Sequence, residues 1–101
     1  MKDSMQNNDD VKALLCQAID VYGGDRQLIK CCEEMGELTQ AICKRFDLGA
    51  EYSYDLEAVV EELADVEIML DQLRLYLKID PEMERKWRER KLARLAVRLG
   101  R

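Results

Sequence analysis

The chain has 101 residues, of which 48% are hydrophobic and 37% charged, with one Pro, five Gly and no His. This length fits one domain (1–101) with a modest core, so we expect a homodimer or homotetramer that supplements the core. The net charge of −5 argues against nucleic-acid binding, and no apolar run approaches the ~20 residues of a membrane span. We therefore expect a cytoplasmic protein that binds neither nucleic acid nor a membrane.

Polar residues fill positions 1–9, and we expect this segment to be disordered. A first helix is predicted over 10–22, where Gly23 and Gly24 end it. A second is predicted from Asp25 to about Phe46. Its apolar residues step by three and four, which is the pattern of a packed helix: Leu28, Cys31, Met35, Leu38 and Ile42.

A loop is predicted over 47–53, followed by a third helix that reaches about Lys78. Its apolar seam is also unbroken: Leu56, Val59, Leu63, Val66, Leu70, Leu73 and Leu77. Asp80 and Pro81 are typical of an N-cap and a first helical residue, so a fourth helix is predicted after them. The predicted fold class is all-α, an antiparallel bundle of about four helices.

The fourth predicted helix is basic, whereas the rest of the chain is acidic. Residues 1–83 hold eight basic and 19 acidic side chains, and residues 84–101 hold eight basic and two acidic ones. A basic tail of this kind either pairs with the acidic body or holds a phosphate beside it. A basic stripe on this helix has the same two interpretations: Lys91, Arg94 and Arg98.

Four cysteines fall in apolar helical segments, and none has CxxC spacing: Cys16, Cys31, Cys32 and Cys43. We interpret them as small buried hydrophobes in a reducing compartment. A zinc site is disfavoured because the spacing is wrong for one.

Two acidic runs match each other by residue class at every position. Residues 33–38 read EEMGEL, and residues 61–66, which lie 28 positions later, read EELADV. Each run combines two acids, a large apolar residue, a small residue, a third acid and a second apolar residue. The small residues, Gly36 and Ala64, would let two helix backbones approach closely.

The spacing of the acids predicts a shared site. Because a helix turns about 100° per residue, Glu34 and Glu37 lie on one flank of the second helix's seam. Glu62 and Asp65 lie on the equivalent flank of the third helix. If the two helices form an antiparallel hairpin, four carboxylates converge at the edge of the core.

Converging carboxylates repel one another unless a cation neutralises them. A coordination set rich in carboxylates and without His favours Mg²⁺, with Mn²⁺ as a substitute. The alternative is a solvated acidic face, which is the preferred interpretation for Glu33 and Glu61.

The run Glu33-Glu34-x-x-Glu37, followed after 24 residues by Glu62-x-x-Asp65, resembles the signature of the MazG-like all-α NTP pyrophosphatases. The resemblance covers Tyr22 to about Leu77. It implies that Glu34, Glu37, Glu62 and Asp65 bind Mg²⁺ and carry catalysis. The implied reaction splits a (d)NTP between its α and β phosphates, which yields a (d)NMP and pyrophosphate.

The resemblance also suggests roles for residues outside the two acidic runs. Lys30 stands where relatives often have a lysine, and it either contacts a phosphate or is a plain surface lysine. Gln72 stands where many relatives carry Asn near the nucleotide. Lys91 and Arg94 are candidate phosphate contacts from the basic helix.

Two other functions stay open from the sequence. A phosphoribosyl-ATP pyrophosphatase shares this fold and the same cation chemistry. A catalytically silent helical module would instead use the apolar seams and the basic tail for dimerisation or partner binding.

Overall fold

The computed structural model describes residues 8–48 and 53–101, and the side chains of 8–45 and 56–101. Over these residues it contains four helices and no strand, which confirms the predicted all-helical class: α1 (Asn8–Tyr22), α2 (Gly24–Leu48), α3 (Ser53–Tyr76) and α4 (Pro81–Arg98). Residues 1–7 of the expected disordered segment and 49–52 of the predicted loop lie outside the described residues. Residues 8–9 of that segment, and 47, 48 and 53 of the loop, are helical, so these parts of the two predictions are wrong. No helix in the described part of the chain combines the length and apolarity that crossing a bilayer requires.

The helix ends follow the local chemistry that the sequence indicates. α1 stops where Gly23 takes a φ of 95°, a left-handed conformation that suits glycine. Asp80 caps α4, because its side chain accepts a 3.0 Å hydrogen bond from the backbone N–H of Glu82. Pro81 occupies the first helical turn, as predicted.

α2 and α3 form an antiparallel hairpin, against which α1 packs. Two cross-helix hydrogen bonds fix its direction near one end. Gln27 Nε2 donates to Gln72 Oε1 at 2.8 Å, and the Tyr76 hydroxyl donates to Asp25 Oδ1 at 2.9 Å. The residue numbers rise along α2 as they fall along α3, so the two chain directions are opposed.

The core of the hairpin contains Cys31 and Val66 of the predicted seams but is shifted away from other seam residues. The buried residues of the described chain are Leu15, Cys31, Ala41, Val66, Met69 and Gln72. Met35 and Ile42 of the predicted α2 seam are 40% and 51% exposed, and Leu63 of the α3 seam is 48% exposed. The packing face of α2 is therefore rotated towards Cys31, Glu34 and Ala41.

Two further expectations about small residues are wrong in part. Only Cys31 is buried, whereas Cys16 is half-buried and Cys32 and Cys43 are exposed. Gly36 is exposed, and a Cβ there would meet no atom within 4 Å, so it does not mark a close approach of backbones.

α4 leaves the body of the molecule. Its Cα atoms stay more than 8 Å from those of α1, α2 and α3, so one chain packs three of the four helices of the expected bundle. A forked ion pair anchors its first turn, since Arg74 Nε and Nη2 both donate to the Glu84 carboxylate at 3.0 Å. Arg74 Nη1 also donates to Asp71 Oδ1 at 2.9 Å.

Candidate metal centre

Three carboxylates converge where the middle of α2 crosses the middle of α3. Glu34, Glu62 and Asp65 each place one oxygen within 4.8 Å of the other two, and all three side chains are half-buried. Glu34 comes from the packing face of α2, and the two α3 acids are three residues apart and so share a face. The structure therefore brings together three of the four acids that the sequence predicts to converge.

Glu62 combines a buried oxygen with several nearby negative charges. Its Oε2 atom is buried and has no hydrogen-bond partner. Burial, followed by the negative charges of Asp65, Glu34 and Glu37, raises the pKa of Glu62 above its ordinary value of 4.5. A buried carboxylate oxygen without a donor costs free energy, and a cation at this position would remove that cost.

One lysine borders the acidic cluster. Lys30 Nζ lies 3.3 Å from Glu34 Oε1, one helical turn away along α2. The hydrogen bond to Glu34 and its charge raise the pKa of Lys30, and the charges of Glu33 and Asp65 add to this. The Lys30 side chain is about half exposed, so its ammonium group stays accessible beside the carboxylates.

Glu37, the fourth predicted ligand, lies outside the three-carboxylate group. It is exposed, because the packing face of α2 passes through Glu34 instead of running between Met35 and Leu38. Its charge still reaches Glu62, whose pKa it helps to raise. Glu37 therefore borders the site from the solvent side.

A cleft of about 160 Å³ opens beside Glu62 on the side of Glu37. Lys44 lines this cleft and is a residue that the sequence analysis missed, although it lies seven positions after Glu37 and so two turns along the same face. Glu61 is exposed, as predicted, and also lines the cleft. The complete lining is Glu37, Gln40, Ala41, Lys44, Ala58, Glu61 and Glu62.

Gln72 lies inside the hairpin and away from the cleft lining. It is 5% exposed, and its amide accepts from Gln27 and donates to the Met69 sulfur at 3.6 Å. Seven residues separate it from Asp65, which is two helical turns or about 10 Å along α3. Its amide is therefore satisfied within the protein in this conformation.

No known protein family, curated protein or solved structure matches this chain. The interpretation of the acidic cluster depends on the spacing, burial and charge of its own residues.

The backbone of α4 lies away from the α2–α3 hairpin that carries the cluster. Lys91 and Arg94 are exposed, and α4 keeps its backbone clear of the α2–α3 hairpin. That these side chains contact a phosphate at the acidic site stays a prediction.

The donor set fits a hard divalent cation. Three carboxylates offer only oxygen, and three ligands leave positions for water and other oxygen ligands, as Mg²⁺ prefers. The orphaned Glu62 oxygen is the atom that such an ion would satisfy. Soft metals are disfavoured because the group contains neither Cys nor His.

Proposed function

We propose that this protein is a Mg²⁺-dependent nucleoside triphosphate pyrophosphohydrolase that converts a (d)NTP into a (d)NMP and pyrophosphate. The observation that carries the proposal is the buried, partnerless Glu62 oxygen beside Glu34 and Asp65. The paired acidic runs and their resemblance to the MazG-like enzymes supply the reaction class. Mn²⁺ is the expected substitute cation.

The side chains at this site have different proposed roles. Glu34, Glu62 and Asp65 hold the cation, which when bound would supply Lewis-acid polarisation of phosphoryl oxygens. Glu37 borders the cleft from solvent and is the candidate to accept a proton from the attacking water. Lys30 and Lys44 place positive charge on either side of the carboxylates, where it offsets the charge of the phosphates and of the leaving pyrophosphate.

The first test measures pyrophosphate release from a panel of (d)NTPs, with phosphoribosyl-ATP included as the rival substrate. We expect turnover with Mg²⁺ or Mn²⁺ and none with chelator. Glu34→Gln and Asp65→Asn should each slow turnover at least ~100-fold, which corresponds to about 2.7 kcal/mol of lost transition-state stabilisation.

Glu33→Gln is the matched control, because Glu33 is an exposed neighbour of Glu34 that lies outside the carboxylate group. It should keep wild-type turnover, and calorimetry should show Mg²⁺ binding to this variant but not to Asp65→Asn. Equal turnover with chelator, or with Asp65→Asn, would refute the proposal and favour a silent helical module. Turnover of phosphoribosyl-ATP alone would instead reassign the substrate.

A further inference from the structure

α4 carries more positive charge than its own acids neutralise. It contains seven basic and three acidic side chains. Glu82 and Glu89 both pair with Arg85, and Glu84 pairs with Arg74 of α3. The other six basic side chains of α4 form no salt bridge with any residue that the structure describes: Lys86, Arg88, Arg90, Lys91, Arg94 and Arg98.

Four of these six cations share one face of α4 with an aromatic ring. Because an α-helix has about 3.6 residues per turn, the five side chains of this group lie within an arc of about 100°. The group, which we call the basic arc, consists of Trp87, Arg90, Lys91, Arg94 and Arg98, and all five residues are exposed. The Arg90 guanidinium carbon lies 5.1 Å from the centre of the Trp87 ring, and a guanidinium stacked in this way keeps its N–H donors free.

The basic arc faces away from the acidic body of the molecule. Pro81 and Glu84 line a groove together with residues of α1 and α3, so their side of α4 faces the body. The centre of the basic arc lies roughly 100° around the helix from these two residues. Arg98 is also 14 residues beyond Glu84, or about 21 Å along the axis. That distance exceeds the ~10 Å over which salt at 0.1 M screens a charge, so the body does not neutralise the far end of the arc.

The spacing of the cations suits an anion with charges in a row. Arg90, Arg94 and Arg98 follow one another at intervals of four residues, and like charges at this spacing destabilise a helix unless something neutralises them. Guanidinium groups bind phosphate oxygens through paired N–H donors. A polymer of phosphates therefore matches both the length and the chemistry of the arc.

We propose that the basic arc binds the phosphate backbone of a nucleic acid without reading its bases. The net charge of −5, which disfavours such binding, belongs to the whole chain, whereas the arc holds four basic side chains and no acidic one. This inference does not depend on the proposed activity.

An anionic membrane suits the geometry of α4 less well. A helix at a bilayer surface buries its apolar side in the lipid. The apolar side of α4 carries Leu92, Leu95 and Leu99, whose centre lies about 120° around the helix from that of the basic arc. The arc would then point away from the lipid headgroups, so the cations would not contact them.

The test measures the fluorescence anisotropy of a fluorescein-labelled oligothymidylate of about 20 nucleotides, titrated with the full chain in about 50 mM NaCl. We expect binding whose log affinity falls against log salt with a slope of about −3, since four contacted phosphates each contribute about −0.7. The double variant Arg94→Gln with Arg98→Gln should bind at least ~10-fold more weakly, and its slope should fall to about −1.4.

The matched control is the double variant Arg85→Gln with Arg88→Gln. It removes the same charge from the same helix, but from the side that carries the leucines. It should bind within about threefold of the wild type, because neither residue belongs to the arc. Circular dichroism shows whether both double variants keep the helix content of the wild type, and the salt slope of the wild type tests the proposal without any substitution.

Several outcomes would overturn the assignment of the basic arc to a nucleic acid. They are no binding by the wild type, a salt slope near zero, and an equal loss of affinity in the two double variants. Sedimentation with phosphatidylglycerol vesicles, in the absence of binding to the oligonucleotide, would also overturn it and would assign the arc to a membrane surface.

Discussion

At the scale of single residues, burial and neighbouring negative charges oppose the ionisation of Glu62. It shares its surroundings with Glu34 and Asp65, and one of its oxygens is buried without a donor. Lys30 offsets part of this charge, but its ammonium group pairs with Glu34. A protein that only needed a stable hairpin would be served better by an apolar residue at this position, because like charges at short range destabilise the folded state.

The raised pKa of Glu62 predicts a pH dependence of stability in the metal-free protein. The folded chain holds this proton to a higher pH than the unfolded chain does. The contribution of Glu62 to the free energy of unfolding is therefore fully present below its pKa in the unfolded chain. It is lost as pH rises through its pKa in the folded chain. Urea unfolding with chelator, from about pH 4 to about pH 8, should show Glu62→Gln gaining stability over the wild type as pH rises.

Comparing the wild type with Glu62→Gln reports on the Glu62 carboxylate alone. Acids whose pKa is lowered by folding have the opposite effect on stability, but they are present in both proteins. Glu84 is one of these, because its hydrogen bonds to Arg74 lower its pKa and make it stabilising at neutral pH. Saturating Mg²⁺ should reverse the order and make the wild type the more stable protein. A constant difference between the two proteins across the pH range would contradict the assignment of strain to Glu62.

At the scale of helices, a row of polar side chains lies in the α2–α3 interface. Gln27 meets Gln72 near one end, and Glu34 meets Asp65 two turns further along. Buried polar pairs cost stability, yet they penalise helices that slide out of register. The amide pair thus favours the one alignment in which the acids of the two helices face each other.

The junction between α1 and α2 depends on a glycine for a steric reason. A Cβ atom at Gly24 would collide with the Tyr76 ring, whose hydroxyl is held by Asp25. Gly24→Ala should therefore destabilise the fold by about 1–3 kcal/mol, since the ring must move and give up that hydrogen bond. Gly36→Ala should stabilise it by about 0.5–1 kcal/mol, because Gly36 lies within α2 and faces open space.

Chemical denaturation of the two variants against the wild type measures both effects. Opposite signs at the two glycines are the expected result. Destabilisation by Gly36→Ala would mean that a partner subunit or ligand approaches that surface of α2.

At the scale of the whole molecule, an acidic body and a basic helix are joined by a short linker. If the expected oligomer joins α4 of one copy to the body of another, opposite charges meet, whereas contact between two bodies would bring like charges together. Raising NaCl from about 50 mM to about 500 mM should therefore weaken the dimer several-fold, because salt screens attraction between exposed charges. Analytical ultracentrifugation gives the dissociation constant, and a dimer strengthened by salt would point to contact between the acidic bodies.

The sequence by itself determined the four helices, their breaks at Gly23 and Asp80, and the pairing of the two acidic runs. These features are local, since capping, turn chemistry and spacing within one helix decide them. The three-and-four spacing of apolar residues did not determine which stripe of α2 is buried. Leu28, Met35 and Ile42 form as good an apolar stripe as Cys31, Leu38 and Ala41 do.

Only the tertiary structure decided between these stripes, and with that choice it placed Glu34 inside the hairpin and Glu37 at its edge. It also decided that α4 makes no backbone contact with the other helices, while the ion pair of Arg74 with Glu84 joins the end of α3 to the first turn of α4. Both outcomes depend on contacts between residues far apart in the chain or beyond one helix. The packing of two amphipathic surfaces is a joint property of both, which neither segment encodes alone.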